Sequence, residues 1–217
     1  MAKRNPKAYE PDLAIDLSTL GINGIEESKV LYSDVKEDEV NEQQFQESVA
    51  YLEEALVLFR KHASLETISY WYDKCLSTLA DAAFAKNDFD KSMLYMEELI
   101  PLKKEAFSEN PEAYQTDYAD HMEILSMLCL ILEEFPKAEE YATTALSVDP
   151  ERHGVNANLA AALLFQGKYD KAEEIYLRYK DELGEMFLKD LEAFEEIGYT
   201  DQHLEEVDRI KKLLKKE

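Results

Sequence analysis

A repeat of 34 residues between positions 122 and 179 constrains the fold of this chain more than any other feature. Apolar or small residues recur at this interval in three pairs: Leu125 and Leu159, Cys129 and Leu163, and Ala138 and Ala172. A constant period of this length, made of two helical patterns joined by a tight turn, is typical of arrays of helical repeats. The sequence therefore predicts helix–turn–helix units that stack along the chain.

The residues around these pairs follow one pattern. The first unit carries large apolar and small residues on its first helix, then an aromatic, small residues and a closing proline on its second: Met122, Leu125, Ser126, Cys129, Phe135, Ala138, Ala142, Ala145 and Pro150. The second unit carries Leu159, Ala160, Leu163, Gly167, Tyr169, Ala172 and Tyr176, and it departs from the pattern at Asn156, Tyr179 and Gly184. This pattern resembles the tetratricopeptide repeat (TPR).

The TPR resemblance implies an all-α fold class: an α-α superhelix (TPR solenoid) of about four helix–turn–helix repeats with a C-terminal capping helix pair. We expect a single TPR-like domain over residues 1–217. Its predicted repeats occupy residues 1–63, 64–109, 110–152 and 153–184, and the predicted capping helices occupy residues 185–217.

A second internal match extends the array toward the N-terminus. The segment from Asn5 to Gly21 parallels the segment from Asn110 to Ser126, and 15 residues separate Asn from Leu in both. These longer units resemble the kinesin-light-chain-like repeats of bacterial multi-repeat proteins. After Gly21 the helical periodicity is lost, so residues 22–44 are predicted to form an acidic insertion between the two helices of the first repeat.

Apolar spacing and capping residues predict further helix limits. A helix is expected from Phe45 to His62, and the next one at residues 65–86 with Ser64 as its N-cap. Pro101 is expected to kink or end the helix that follows, because proline lacks a backbone N–H. Gly198 is expected to end a helix of the cap.

The chain is strongly acidic, with 47 Asp and Glu against 24 Lys and Arg and a formal net charge of −23 at pH 7. Such a surface repels phosphate backbones and anionic membranes, so direct binding to nucleic acids or membranes is not expected. Three interpretations of the charge remain: a basic partner, mimicry of a nucleic acid, or acidic solubilisation of a helical scaffold.

Two further features bear on the compartment. The N-terminus lacks the apolar stretch of a signal peptide, and no apolar run approaches the roughly 18 residues that a membrane span needs. Cys75 and Cys129 fall on apolar helical positions and are predicted core residues without a disulfide. We therefore expect a cytoplasmic protein, and the repeat type indicates a bacterial one.

Residue patterns that would indicate catalysis are missing from the sequence. It has no Gly-x-Ser-x-Gly elbow, no His-Glu-x-x-His pair and no phosphate-binding glycine-rich loop. His121, beside Asp120 and Glu123, is a formal metal-ligand candidate, but a surface histidine on a helix is the preferred interpretation. We predict no enzymatic activity, no cofactor and no metal.

The TPR resemblance implies a concave groove in which the outward positions of each first helix contact a partner peptide. Counting from the pattern, twelve residues are predicted to line it: Ser77, Asp81, Phe84, Asp120, Glu123, Ile124, Met127, Leu130, Asn158, Ala161, Leu164 and Phe165. The family's clamp for C-terminal carboxylates uses Lys, Arg and Asn, and only Asn158 matches it. The remaining lining is apolar with acidic edges, which suits a basic or amphipathic helix.

Two groups of apolar residues have an alternative interpretation. Leu130, Leu164 and Phe165 lie near helix ends, where packing against second helices competes with a role in the groove. The run Tyr70–Trp71–Tyr72 is either an interface hot spot or part of the packing between repeats. The sequence does not decide between these alternatives.

The predicted function is a non-enzymatic protein–protein interaction scaffold that binds a partner peptide or helix in the concave groove. The alternatives are a structural, self-assembling protein and a regulatory subunit that acts through its acidic surface. The partner is expected to be a protein or peptide of basic or amphipathic character, and homo-oligomerisation stays open.

Overall fold

A computed structural model describes residues 9–31, 41–63 and 68–215 of the chain. In these ranges the chain forms ten α-helices and no strand, so the predicted all-α class is confirmed. The helices are α1 (Glu10–Ser28), α2 (Glu42–Lys61), α3 (Ser69–Ala85), α4 (Phe89–Glu109), α5 (Pro111–Ile131), α6 (Phe135–Val148), α7 (Val155–Phe165), α8 (Tyr169–Arg178), α9 (Lys180–Glu196) and α10 (Leu204–Lys215). The predicted N-cap Ser64 and the match at Asn5 lie outside the described residues.

The chain divides into two compact units, Met1–Leu102 and Lys103–Glu217. The boundary falls in α4, between Leu102 and Lys103 and one residue beyond Pro101. This helix does not end at the proline but continues to Glu109, because a helix of 21 residues tolerates the loss of one backbone hydrogen bond. The repeat boundaries and the single domain stay predictions.

In the first unit, α1 and α2 pack closely because α1 presents glycine to its partner helix. A Cβ atom added to Gly24 would lie 2.0 Å from Ser48 Oγ, and one added to Gly21 would lie 2.5 Å from Leu52 Cγ. Both distances are too short for any side chain, so the close approach requires glycine at the two positions.

The prediction that residues 22–44 form an insertion is wrong at both ends of this range. α1 continues through Ser28, and α2 begins at Glu42 after its N-cap Asn41. The two glycines of α1 are poor helix formers, which makes the sequence look interrupted. Their role in packing against α2 is visible only in the structure. The centre of the predicted insertion, residues 32–40, lies outside the described residues.

Three turns between paired helices share one geometry. They span residues 86–88, 132–134 and 166–168, and the middle residue of each has a positive φ: Asn87 at 57°, Glu133 at 58° and Gly167 at 73°. In each turn, the amide of the last residue donates to the carbonyl five residues earlier, at 2.8 to 2.9 Å. This is the Schellman ending of a helix, and it produces the same helix–turn–helix unit three times.

Small residues bring the helices of each pair together. Ser92 Oγ donates to the Ala80 carbonyl at 3.0 Å in the first unit, and Ser126 Oγ donates to the Ala138 carbonyl at 3.1 Å in the second. All four residues are buried. The serine lies on the second helix of one pair and on the first helix of the other. Either helix can therefore supply the hydroxyl at the point where the two helices cross.

Each unit has its own apolar core. The largest fully buried side chains include Leu52, Phe59, Leu76 and Leu79 in the first unit, and Leu125, Leu128, Leu164 and Phe187 in the second. Cys75 and Cys129 are buried, as predicted. Burial raises the pKa of the Cys75 thiol to about 12, so the thiol stays protonated and unreactive at neutral pH.

The second unit ends with α9 and α10. α10 packs on α8 and α9 and buries Val207, Ile210 and Leu214. The Lys180 ammonium donates to the Leu213 carbonyl at 3.0 Å and ties the start of α9 to the end of α10. Gly198, which the sequence predicts as a helix end, follows α9 with a φ of 82°.

Candidate partner-binding surfaces

In the first unit, α3 exposes three of the predicted groove residues on one face. Ser77, Asp81 and Phe84 are spaced by four and three residues and therefore share a side of the helix. Phe84 is 37% exposed and packs edge-on against Phe89, with ring centroids 5.4 Å apart. The opposite side of α3 carries its buried residues, so the exposed face is free of core packing.

The same face of α3 begins with an aromatic residue that the groove prediction did not include. Tyr70 is 62% exposed and packs edge-on against Trp71, with centroids 5.3 Å apart, whereas Tyr72 is buried. Helical spacing places Tyr70 on the same side as Ser77. We call the set Tyr70, Ser77, Asp81 and Phe84 the α3 surface.

Asp81 has an unusual environment for an exposed carboxylate. Solvent reaches the side chain, yet surrounding protein atoms desolvate the carboxyl group and raise its pKa above the ordinary value. Among the described residues, no cation contributes to this shift. A partner that brings a Lys or Arg side chain to Asp81 would supply the missing counter-charge.

In the second unit, α5 exposes four predicted groove residues: Asp120, Glu123, Ile124 and Met127. Ile124 is 41% exposed and Met127 is half-buried. We call these four residues the α5 surface. The buried side of the same helix includes His121, which corrects its interpretation as a surface histidine, because its position faces the core beside Met122 and Leu125.

Arg152 changes the charge of the α5 surface. Its guanidinium binds Asp120, lies 2.9 Å from Glu123 Oε2 and lies 3.6 Å from Asp149 Oδ2. The residue follows the α6 helix, so counting along first helices could not identify it. The predicted acidic edge is therefore partly neutralised within the chain.

Asn158 is the only predicted groove residue of α7 that is not buried, and it is half-buried. Its side-chain amide donates to the Glu123 carbonyl at 3.4 Å. The amide thus ties α7 to α5, which leaves it less able to bind a partner.

Four predicted groove residues belong to the core instead: Leu130, Ala161, Leu164 and Phe165. Leu130 lies about 80° around α5 from Asp120, toward neighbouring helices. Phe165 shares a face with Asn158, but its ring packs against Phe135 at 5.1 Å and Phe194 at 5.0 Å. Because α9 supplies Phe194 and packs on α7, these positions are closed to a partner.

Other kinds of site lack support in the described part of the chain. No group of three or more His, Cys, Asp or Glu side chains there could hold a metal ion. None of its helices combines the length and apolar character that crossing a lipid bilayer requires.

Comparison with known proteins adds a family match for part of the chain and a fold. Residues 130–184 match the tetratricopeptide repeat family, and this range contains α6, α7 and α8. No curated protein matches the chain.

Two solved structures resemble the chain. Both are of a kinesin-light-chain-like protein of Podosopora anserina with nearly identical TPR-like repeats. One is a variant in which methionine replaces a glutamine; it has 14% sequence identity and a TM-score of 0.57, and the match covers 93% of each chain. The other has 15% identity and a TM-score of 0.54, and the match covers 94% of this chain and 99% of its own. At these identities the likeness shows the fold alone. Together with the family match, it confirms the predicted TPR resemblance and fold class.

Proposed function

We propose that this chain, which has the fold of TPR-like repeats and matches the tetratricopeptide repeat family at residues 130–184, is a non-enzymatic scaffold that binds a partner peptide or helix. The principal contact is the α3 surface of the first unit. The partner presents apolar side chains to Tyr70 and Phe84 and a Lys or Arg side chain to Asp81. TPR folds support protein–protein interaction in general, and the chemistry of this face supports a partner with apolar and basic side chains.

The observation that carries the proposal is the combination of exposed aromatic rings with a desolvated carboxylate on one helix face. Large aromatic side chains dominate the binding energy of protein interfaces. Because Tyr70 and Phe84 are already held by Trp71 and Phe89, little side-chain entropy is lost when a partner covers them.

The α5 surface is a weaker candidate in the second unit. Ile124 and Met127 supply apolar area there, but Arg152 already pairs with the two acidic residues of the surface. A basic partner would have to compete with that guanidinium, so we assign the principal contact to the α3 surface.

The test compares tagged full-length variants as baits in lysate from the source organism, with retained proteins quantified by mass spectrometry at about 0.15 M salt. Phe84→Ser removes the exposed ring, and Leu94→Ser removes an exposed leucine of α4 as the matched control. We expect a specific protein to be retained by the wild-type chain and by Leu94→Ser but lost with Phe84→Ser. Retention that does not depend on Phe84 would overturn the α3 assignment.

Binding measurements with the purified partner then give the size of the change in affinity. Loss of an aromatic anchor costs about 1–2 kcal/mol, which corresponds to a dissociation constant roughly 5 to 30 times larger for Phe84→Ser. Asp81→Asn keeps the shape of the surface and removes its charge, so it weakens a basic partner but leaves a neutral one unaffected. Calorimetry with both variants therefore separates the apolar contribution from the ionic one.

A further inference from the structure

Among the described residues, the first helix pair has a second accessible apolar surface, and this surface lies on helices other than α3. α3 packs on one side of α1 and α2. Other residues of this pair remain accessible: Leu13 is 46% exposed, Leu20 is 57% exposed and Tyr51 is 42% exposed. Exposed apolar residues that cluster in this way mark interaction sites.

Helix geometry arranges these side chains in two adjacent rows. On α1, Leu13, Leu17 and Leu20 are spaced by four and three residues; on α2, Tyr51 and Leu58 are two turns apart. We call these five residues the N-terminal face.

The two rows lie side by side because α1 and α2 run antiparallel. Glu10 pairs with Lys61 at one end, at 2.6 Å, and Glu27 accepts a hydrogen bond from Gln44 at the other, at 2.7 Å. Leu20 and Tyr51 also line a cleft of about 320 Å³, together with Gly24, Ser48 and the polar side chains of Asn23, Glu27, Gln44 and Glu47. The cleft is large enough to accept a side chain of a partner.

The charges around the N-terminal face are acidic. Asp16, Glu27, Glu47 and Glu54 are exposed at positions that helical spacing places beside the apolar rows. Glu27 and Glu47 accept hydrogen bonds from the neutral amides of Gln44 and Gln43, which do not compensate their charge.

The basic residues at the end of α2 are engaged elsewhere. Arg60 pairs with Glu98 at 2.5 Å, and Lys61 pairs with Glu10. The face therefore presents apolar side chains within an acidic border, whose four carboxylates pair with no cation among the described residues.

We propose that the N-terminal face binds a basic amphipathic α-helix of a partner protein, with leucine-like side chains on the apolar rows and Lys or Arg residues beside the bordering carboxylates. The distance from Leu13 to Glu27 along α1 is about 21 Å, which matches a partner helix of about four turns. The site is independent of the α3 surface.

A second copy of the chain is a poorer occupant because of charge. In a symmetric dimer the same patch faces itself, so the acidic border of one copy would oppose the acidic border of the other. A basic amphipathic helix would cover the apolar rows and place its cations beside the acidic border. Charge complementarity therefore selects a basic helix over self-association.

The test uses the full-length chain and a fluorescent synthetic helix of about 15 residues with Leu on one face and Lys on the other. A peptide with Glu in place of Lys is the charge control. Fluorescence anisotropy at about 0.15 M salt measures the affinity. We expect Leu20→Ser and Tyr51→Ser to weaken binding of the Lys peptide by roughly 5- to 10-fold. Val57→Ser, at an exposed position on a different side of α2, should leave it within about 2-fold.

A charge-reversal variant provides a second readout that does not depend on the apolar residues. Glu47→Lys combined with Glu54→Lys should weaken binding of the Lys peptide and introduce binding of the Glu peptide. Far-UV circular dichroism checks that each variant keeps its helices.

Three outcomes would overturn the proposal. Equal affinity for all variants would mean that net charge alone attracts the peptide. Loss of binding with Phe84→Ser would assign the peptide to the α3 surface. A dimer in light scattering that Leu20→Ser abolishes would assign the N-terminal face to a second copy.

Discussion

At the residue scale, Gly24 shows how one missing side chain determines the approach of two helices. The hydroxyl of Ser48 occupies the space that a Cβ atom at position 24 would need, and it donates to the Gln44 carbonyl at 2.6 Å. Glycine costs helix stability on its own, but the contact between α1 and α2 depends on it.

Gly24→Ala is therefore expected to lower the free energy of unfolding by about 1–3 kcal/mol through overpacking. Urea denaturation followed by circular dichroism measures the change. Gly184→Ala is the matched control, because this glycine lies within α9 and an added Cβ would meet no atom closer than 3.9 Å. The control should stabilise the protein by up to about 1 kcal/mol. Equal effects of the two substitutions would contradict the close approach of α1 and α2.

Glu98 joins three helices through its carboxylate. Arg60 of α2 donates to both oxygens, at 2.9 and 2.5 Å, and the Tyr72 hydroxyl of α3 donates to Oε1 at 2.5 Å. The hydrogen bonds from Arg60 lower the pKa of Glu98 most, and the hydrogen bond from the Tyr72 hydroxyl lowers it further. Together they outweigh the effect of burial, so the pKa lies below its ordinary value of 4.5.

Glu98→Gln should lower the free energy of unfolding by about 1–3 kcal/mol at pH 7. Since the folded-state pKa is depressed, the ionised carboxylate stabilises the native state above pH 4.5 and loses this effect as pH falls through the folded pKa. The difference between wild type and Glu98→Gln should thus shrink as pH falls below 4.5, measured by urea denaturation. Glu105→Gln, at an exposed carboxylate of α4, is the control. A difference that persists at low pH would exclude the ionised pair as its source.

At the element scale, the recurrent turns show how the chain repeats a backbone conformation with different residues. Gly167 suits a positive φ, whereas Glu133 adopts the same conformation with a side chain. The hydrogen bond from the last turn residue to the preceding helix is present in both, so the repeat geometry outweighs the local preference of glutamate.

Glu133→Gly is expected to raise the free energy of unfolding by about 1 kcal/mol, because it relieves the left-handed strain. Gly167→Ala should lower it by a similar amount, about 1 kcal/mol. Thermal or urea denaturation of both variants provides the measurement. Destabilisation by Glu133→Gly would show that glutamate makes a contact at this turn that outweighs its backbone cost.

At the scale of the whole molecule, several cations of the chain join its own helices. Lys86 pairs with Glu42 and Lys91 pairs with Glu53, at 2.5 and 2.6 Å, and Arg152 similarly links the end of α6 to α5. With 47 acidic residues against 24 basic ones, this pairing leaves carboxylates in excess. Both proposals accordingly name basic partners, and each depends on a distinct set of apolar residues within one unit.

The sequence by itself determined the repeated unit and most of its internal contacts. Leu125, Cys129 and Ala138 identify paired helices because helix periodicity and a tight turn are local properties of a chain. Their burial follows from the same spacing. Eight of the twelve predicted groove residues are at least partly accessible, because the outward side of a helix follows from the spacing of its core residues.

Only the tertiary structure decided which outward positions stay open and where weak helix formers are tolerated. Phe165 is closed by Phe194, 29 residues later, and Asp120 is paired with Arg152, 32 residues later. α1 extends through both of its glycines because α2 packs against them. Each of these outcomes depends on contacts between distant segments, whose energies exceed the local preferences that a sequence pattern records.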